Sequence, residues 1–170
     1  MHVAARHQRN AGGNARIAET MFRYFRFPMD FGNFVYLSQV QQALAMRTAV
    51  ECWRSQKPNC MGTLYWQLND TWPDASWSGL DHGGGWKVLH YAARRFYAPV
   101  LVCIVPEKSS GDYVIMGIND TGNAVSADIN VQAITIAGKT IHLDHVKSII
   151  PADRAIEIAE LLRRHRFYST

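Results

Sequence analysis

The chain changes its sequence pattern once, near residue 98, and this change limits what it can fold into. Before that point apolar residues recur at helical spacing, as they do in 33–55. After Pro99 the apolar runs are short, rich in β-branched residues and separated by turn-forming segments; they span 100–105, 113–118, 124–136 and 139–146. Because the two patterns require different cores, we expect two domains, residues 1–98 and 99–170.

The first part predicts helices and one buried strand. Apolar periodicity indicates helices over about 15–25, 33–55 and 86–97, with Asn14 as the N-cap of the first. Cys60–Leu68 is apolar on both faces and has no charge, which predicts a strand buried in a parallel sheet. This order of elements is typical of an α/β barrel. The tail after Pro151 fits either a helix or a strand.

Composition and charge exclude several classes of protein. The 170 residues are 48% hydrophobic and 19% charged, which indicates an ordinary globular protein. The net charge is +4, but no nucleic-acid-binding signature accompanies the arginines. Three cysteines without C-x-x-C spacing favour neither disulfides nor structural zinc. We expect a soluble cytoplasmic chain without cofactor, metal, nucleic-acid partner or membrane association.

Residues 60–98 hold four of the five tryptophans, interleaved with short polar side chains. Indole faces stack on the C–H face of a pyranose, and Asn or Asp side chains bind its hydroxyls. The pattern therefore favours a carbohydrate ligand. The alternative is that these four tryptophans only pack a core and shape a loop.

A longer pattern resembles a known family. The segments LYWQLNDTWPDASWS and GGGWKVLHYAARRFYAPVL, together with residues 7–54, are similar to the β-mannosidases of glycoside hydrolase family 2. The resemblance implies the last portion of a (β/α)8 barrel, where the eighth strand runs into its loop and the eighth helix. Residues 99–170 would then begin an immunoglobulin-like β-sandwich. The expected fold class is thus α/β plus β.

The resemblance also directs attention to the end of the predicted strand. Barrel enzymes build their sites at the C-terminal ends of the strands, so Trp66, Asn69, Asp70 and Trp72 are the predicted substrate-binding residues. Trp66 is the first candidate to stack on a sugar ring. Asn69 and Asp70 either bind hydroxyls or cap the turn.

Neither catalytic residue of the family is found in this chain. Glycoside hydrolysis uses two carboxyl groups, and in the family both are glutamates at the ends of the fourth and seventh barrel strands, upstream of the matching residues. We therefore expect part of a retaining exo-β-mannosidase, acting on terminal β-mannosides or manno-oligosaccharides and inactive alone. The alternative is a non-catalytic carbohydrate-binding module. A barrel strand without neighbours also predicts self-association through 60–68.

Overall fold

The computed structural model describes residues 12–107 and 112–161, with three helices followed by five strands. The helices are α1 (Gly13–Met21), α2 (Phe31–Arg54) and α3 (Val88–Phe96). The strands are β1 (Val100–Pro106), β2 (Tyr113–Asn119), β3 (Val125–Ile134), β4 (Thr140–Ile150) and β5 (Arg154–Leu161). No described helix combines the length and apolar character needed to cross a membrane.

The chain divides into two compact units. Among the described residues, the first contains 12–50 and Leu64–Tyr97, and the second contains Glu51–Thr63, 98–107 and 112–161. The short segment Glu51–Thr63 belongs to the β-rich unit although the sequence pattern places it among helices. The assignment of the two halves to a barrel and an immunoglobulin-like sandwich stays a prediction.

The first unit is built on helices α2 and α3. Its buried cluster is formed by Val50, Leu89, Ala93 and Phe96. Tyr65 packs against this cluster from the segment before the Trp-rich loop. Leu89, Ala93 and Phe96 recur at spacings of four and three, so they share one face of α3. The periodicity that predicts this helix is therefore also what forms the core.

The helix boundaries differ from the predicted ones mainly at α1. Gly12, not Asn14, is the N-cap residue, and its φ of 77° lies in the left-handed region that glycine adopts readily. The helix ends at Met21 rather than near Phe25, and the next amides, of Arg23 and Tyr24, donate to carbonyls three residues back, those of Thr20 and Met21, as in a turn. Helices α2 and α3 lie within about two residues of their predicted bounds.

The predicted strand Cys60–Leu68 is wrong: the structure gives this segment no strand. A strand exists only where a neighbouring backbone completes its hydrogen-bond ladder, and no described strand pairs with these residues. From Leu64 to Leu68 the side chains alternate between exposed and half-buried, and Leu64 is 97% exposed. Self-association through this apolar segment stays a prediction.

The second unit contains two antiparallel sheets. One has the strand order β1-β2-β5 and the other pairs β3 with β4. The tail after Pro151, which the sequence left open between helix and strand, forms β5 on the free edge of β2. Its register shifts between the pairs Ile115–Ala159 and Met116–Glu157, so Ile158 is the extra residue of a β-bulge.

Gly117 lets side chains from two other strands approach β2 closely. A Cβ atom at this position would lie 2.7 Å from the Cδ1 atom of Ile158 and 2.8 Å from the Cδ1 atom of Ile150. Ile150 is the last residue of β4 and is fully buried. The two isoleucines therefore fill the space that a side chain on β2 would take, which explains why glycine is needed inside this strand.

We predict that Gly117→Ala destabilises the chain by about 1–3 kcal/mol, because the added methyl group must displace Ile150 and Ile158 from a packed interior. Chemical denaturation followed by circular dichroism measures the change. Gly122→Ala is the matched control, since a Cβ atom at Gly122 would meet no heavy atom within 4 Å. Equal stability of the two variants would contradict this account of the packing.

Within the β-rich unit, a group of charged side chains links the segment Glu51–Thr63 to two turns between strands. Arg54 Nη2 lies 2.8 Å from Asp120 Oδ2, and Lys57 Nζ lies 2.9 Å from Asp120 Oδ1. Lys57 also pairs with Asp153, and the side chains of Arg54 and Lys57 are each only 8% exposed. Arg54 additionally donates to the Ala98 carbonyl, at 2.8 Å. Two nearly buried cations are thus balanced by carboxylates that belong to the same unit.

The ion pairs at Asp120 predict loss of stability in acid. Burial alone would raise the pKa of Asp120, but Lys57 and Arg54 outweigh it and hold that pKa below its ordinary value of 3.8. The folded state therefore binds the proton less readily than the unfolded state does. The stabilising contribution is complete above pH 3.8 and is lost as pH falls from there through the lower folded pKa.

In Asp120→Asn, the free energy of unfolding should fall less on acidification than it does in the parent. Denaturation at a series of pH values measures this. Asp144→Asn, on an exposed position of β4, is the matched control for removal of one carboxylate. An Asp120→Asn variant that loses stability between neutral pH and pH 3 as steeply as the parent would contradict the prediction.

Candidate functional site

The Trp-rich loop, which we define as residues 66–87, is held together by backbone hydrogen bonds. The Asp70 amide donates to the Leu80 carbonyl at 3.1 Å, and the Leu80 amide donates to the Leu68 carbonyl at 2.8 Å. Farther along, the Lys87 amide donates to the Gly79 carbonyl at 3.0 Å. These bonds bring three passes of the chain side by side, so residues distant in sequence become neighbours.

A buried ion pair lies where these three passes meet. Lys87 Nζ is 2.6 Å from Asp70 Oδ2, and the two side chains are 12% and 2% exposed. Ser76 donates its hydroxyl hydrogen to Asp70 Oδ1. Lys87 Nζ also lies 2.7 Å from the hydroxyl oxygen of the fully buried Ser78, which in turn donates to the Leu80 carbonyl. Both carboxylate oxygens of Asp70 therefore have partners inside the protein.

The network keeps Asp70 ionised. Burial alone would raise the pKa of Asp70, but the hydrogen bonds from Lys87 and Ser76 and the charge of Lys87 outweigh it and lower the pKa below its ordinary range. A carboxyl group with a lowered pKa is a poor proton donor at neutral pH. The geometry therefore suits Asp70 to structural stabilisation rather than to general acid catalysis.

The other predicted substrate-binding residues lie at the surface. Trp66 is 74% exposed and Trp72 is 44% exposed. Asn69 is exposed too, and its side-chain amide donates to the Asp70 carbonyl at 3.1 Å. Trp77 and Trp86 are each about half exposed as well, at 48% and 47%. Indole faces and an amide are thus open to solvent around the buried ion pair. Direct binding of sugar by the four predicted residues stays a prediction.

Two of the three carboxyl groups in the Trp-rich loop, those of Asp70 and Asp81, stabilise it. Asp81 Oδ1 accepts hydrogen bonds from the Gly83 and Gly85 amides, each at 2.8 Å, and so closes the glycine turn. The five glutamates lie outside the Trp-rich loop: Glu19 in α1, Glu51 in α2, Glu107 after β1, and Glu157 and Glu160 in β5. Hydrolysis of a glycoside requires two carboxyl groups facing each other about 5–9.5 Å apart. Asp70 and Asp81 are therefore engaged in holding the loop, and the exposed indoles are its features suited to binding.

Sequence reasoning missed Lys87, Ser76 and Ser78. A useful signal was present: Asp70 lies in a segment with several apolar residues, and a carboxylate that becomes buried requires a cation or several donors. Lys87 is the nearest lysine after Asp70 in the sequence.

We predict that Lys87→Met destabilises the chain by about 3–5 kcal/mol, because it leaves a buried Asp70 carboxylate without its counter-charge. The double variant Asp70→Asn/Lys87→Met removes both charges and should recover a large part of that loss. Chemical denaturation of the two variants and the parent gives the comparison. A double variant no more stable than Lys87→Met would show that the charge imbalance is not the cause.

The comparisons with known proteins point to one group of enzymes. The β-mannosidase of Mus musculus is 38% identical over 126 residues, which is 66% of this chain. The β-mannosidase A of Aspergillus clavatus is 30% identical over 115 residues. The crystal structure of a β-D-mannosidase from Dictyoglomus thermophilum superposes with a TM-score of 0.79 over 88% of the chain, at 33% identity. The chain is homologous to part of the β-mannosidases.

The predicted resemblance to this group is therefore confirmed, and the relatives are glycoside hydrolases by name. The chain spans 14% of the Mus musculus β-mannosidase, 12% of the Aspergillus clavatus protein and 18% of the Dictyoglomus thermophilum chain. An exo-chitosanase from Amycolatopsis orientalis shares the fold, with a TM-score of 0.75 at 17% identity over 85% of this chain. No protein-family model matches the chain.

Proposed function

We propose that this chain is the portion of a β-mannoside hydrolase that carries the Trp-rich loop and binds the terminal sugar. The match to the Dictyoglomus thermophilum β-D-mannosidase over 88% of the chain is the observation that carries this proposal. The substrate would be a terminal β-mannosyl residue of a glycoside or manno-oligosaccharide, released with retention of configuration. The two catalytic carboxyl groups would be supplied by other parts of the enzyme.

The chemistry of the loop supports a role in holding the sugar. Trp66 presents a largely exposed indole face, suited to the apolar face of a pyranose. Asn69 is exposed three residues farther on and offers both a donor and an acceptor to hydroxyl groups. Trp72 supplies a second, half-exposed indole. Asp70 is the exception, because Lys87 and Ser76 already occupy its two oxygens.

We predict that the purified chain does not hydrolyse a chromogenic β-mannoside above background, since the reaction requires a paired acid and nucleophile. Parallel assays of five variants, each with one glutamate replaced by glutamine, are the control for contaminating enzyme. Turnover that one of these replacements abolishes would contradict the proposal, because the catalytic residue would then lie in this chain.

A chimera tests the binding role directly. The corresponding segment of the Dictyoglomus thermophilum β-D-mannosidase is replaced by this chain, and kcat/KM is measured on a β-mannoside. In the chimera, Trp66→Ala should lower kcat/KM by an amount equivalent to about 1–3 kcal/mol, by analogy with the loss of stacking between a flat ring and a nucleobase. Trp53→Ala, which removes a 45% exposed indole from α2, is the control.

The chimera also has outcomes that contradict the proposal. A well-folded chimera that hydrolyses no β-mannoside would show that this chain does not fit a β-mannosidase. Equal losses of kcat/KM in Trp66→Ala and Trp53→Ala would show that Trp66 does not bind the sugar.

A non-catalytic carbohydrate-binding module is the second candidate, favoured by the 74% exposure of Trp66 within this chain. Such a module binds sugar without the remainder of an enzyme. Titration of the isolated chain with manno-oligosaccharide, followed by tryptophan fluorescence, separates the two functions. Saturable binding that Trp66→Ala abolishes, together with an inactive chimera, would favour the binding module.

A further inference from the structure

A short excursion of the chain inside the Trp-rich loop carries Trp72. Residues 71–75, which we call the Trp72 loop, connect Asp70 to Ser76, and all of them except the half-buried Asp74 are exposed. The hydrogen bond from the Ser76 hydroxyl to Asp70 Oδ1 joins the two ends directly. This contact closes the Trp72 loop at its base.

Both ends of the Trp72 loop are themselves fixed. The Asp70 carboxylate is held by Lys87 Nζ at 2.6 Å, and the Asp70 backbone amide donates a hydrogen bond to the Leu80 carbonyl at 3.1 Å. Ser76 Oγ accepts a hydrogen bond from the Ser78 amide at 3.1 Å. Asp70 is 3% exposed, so water competes little for these bonds. The excursion is closed by the hydrogen bonds that join Asp70, Lys87 and Ser76, which we call the clamp.

Trp66 does not depend on this clamp in the same way. It precedes Asp70 by four residues and lies outside the Trp72 loop. Its segment is fixed through Tyr65, which packs on the core cluster, and through Gln67, whose carbonyl accepts from the Gly79 amide at 3.1 Å. A change at the clamp should therefore alter the environment of the Trp72 indole and leave that of the Trp66 indole unchanged.

We propose that Asp70, Lys87 and Ser76 are positioning residues, which fix the Trp72 loop so that Trp72 is presented beside Trp66 as a second wall for the sugar. This role rests on the proposed function. Asp70 acts on the ligand through Trp72 and not by direct contact, because its carboxylate oxygens are already bonded to Lys87 and Ser76. The residue types fit the role: a charge-assisted bond to a buried carboxylate is both short and directional.

The test uses the full chain, labelled with 15N-tryptophan, and needs no sugar. The five indole N–H signals are assigned by single Trp→Phe substitutions. Ser76→Ala removes the clamp hydroxyl. The Trp72 signal should then shift, and its 15N relaxation should show that the Trp72 indole has become more mobile. The Trp66 and Trp53 signals should stay in place, and Ser76→Thr, which keeps a hydroxyl, should restore the Trp72 signal.

The matched control is Ser38→Ala, which removes a hydroxyl bonded to the Val35 carbonyl at 2.8 Å in the same unit. It should leave all five indole signals unchanged. The variant Asp70→Asn/Lys87→Met, which lacks the ion pair, should move the Trp72 signal as Ser76→Ala does. An unmoved Trp72 signal in Ser76→Ala would overturn the proposal, as would equal movement of the Trp66 and Trp72 signals.

The chimeric enzyme gives the second readout. There Ser76→Ala and Trp72→Ala should each lower kcat/KM, and the double variant should lose little more than Trp72→Ala alone, because both changes remove the same contribution. Ser76→Ala combined with Trp66→Ala should be additive. Additivity of Ser76→Ala with Trp72→Ala would overturn the positioning role. An inactive parent chimera would refute only the proposed function, since the indole signals test the clamp without substrate.

Discussion

The buried ion pair between Asp70 and Lys87 is the interaction on which the Trp-rich loop depends. It joins two residues seventeen positions apart, 2.6 Å from nitrogen to oxygen, in surroundings where neither charge is well solvated. The hydroxyls of Ser76 and Ser78 complete the hydrogen bonding of both ions. A loop containing several exposed aromatic side chains has little apolar interior of its own, and this polar centre takes the place of a core.

The fold was predictable from sequence where a pattern depends on neighbouring residues. Helix α3 follows from Leu89, Ala93 and Phe96 on one face, and the bounds of β1 and β2 follow from β-branched runs between turns, whereas β4 continues four residues beyond its predicted end. Cys60–Leu68 was predicted wrongly because apolar composition shows what a segment could bury, not whether a pairing strand is present. The last strand was ambiguous for a related reason: its type is decided by the free edge of β2.

The candidate site was predictable only in part. The exposed indoles of Trp66 and Trp72 and the exposed Asn69 match the composition that indicated a sugar ligand. The role of Asp70 was not predicted: the sequence can suggest that a buried carboxylate needs a cation, but short local patterns do not reveal that Lys87 returns to it across the glycine turn. Homology to the β-mannosidases supplies the class of chemistry, whereas the contacts of this loop separate side chains that can touch a ligand from those that hold the loop.

The most direct test of this account is a measurement on the Lys87 ammonium group by 15N NMR of lysine-labelled chain, assigned with Lys87→Arg. A buried ion pair predicts a distinct Lys87 signal in slow exchange with water, with coupling across the hydrogen bond to the Asp70 carboxylate. Lys147, whose side chain is 75% exposed, provides the reference for a solvated lysine. A Lys87 ammonium that exchanges as fast as that of Lys147 and shows no coupling to Asp70 would contradict the account.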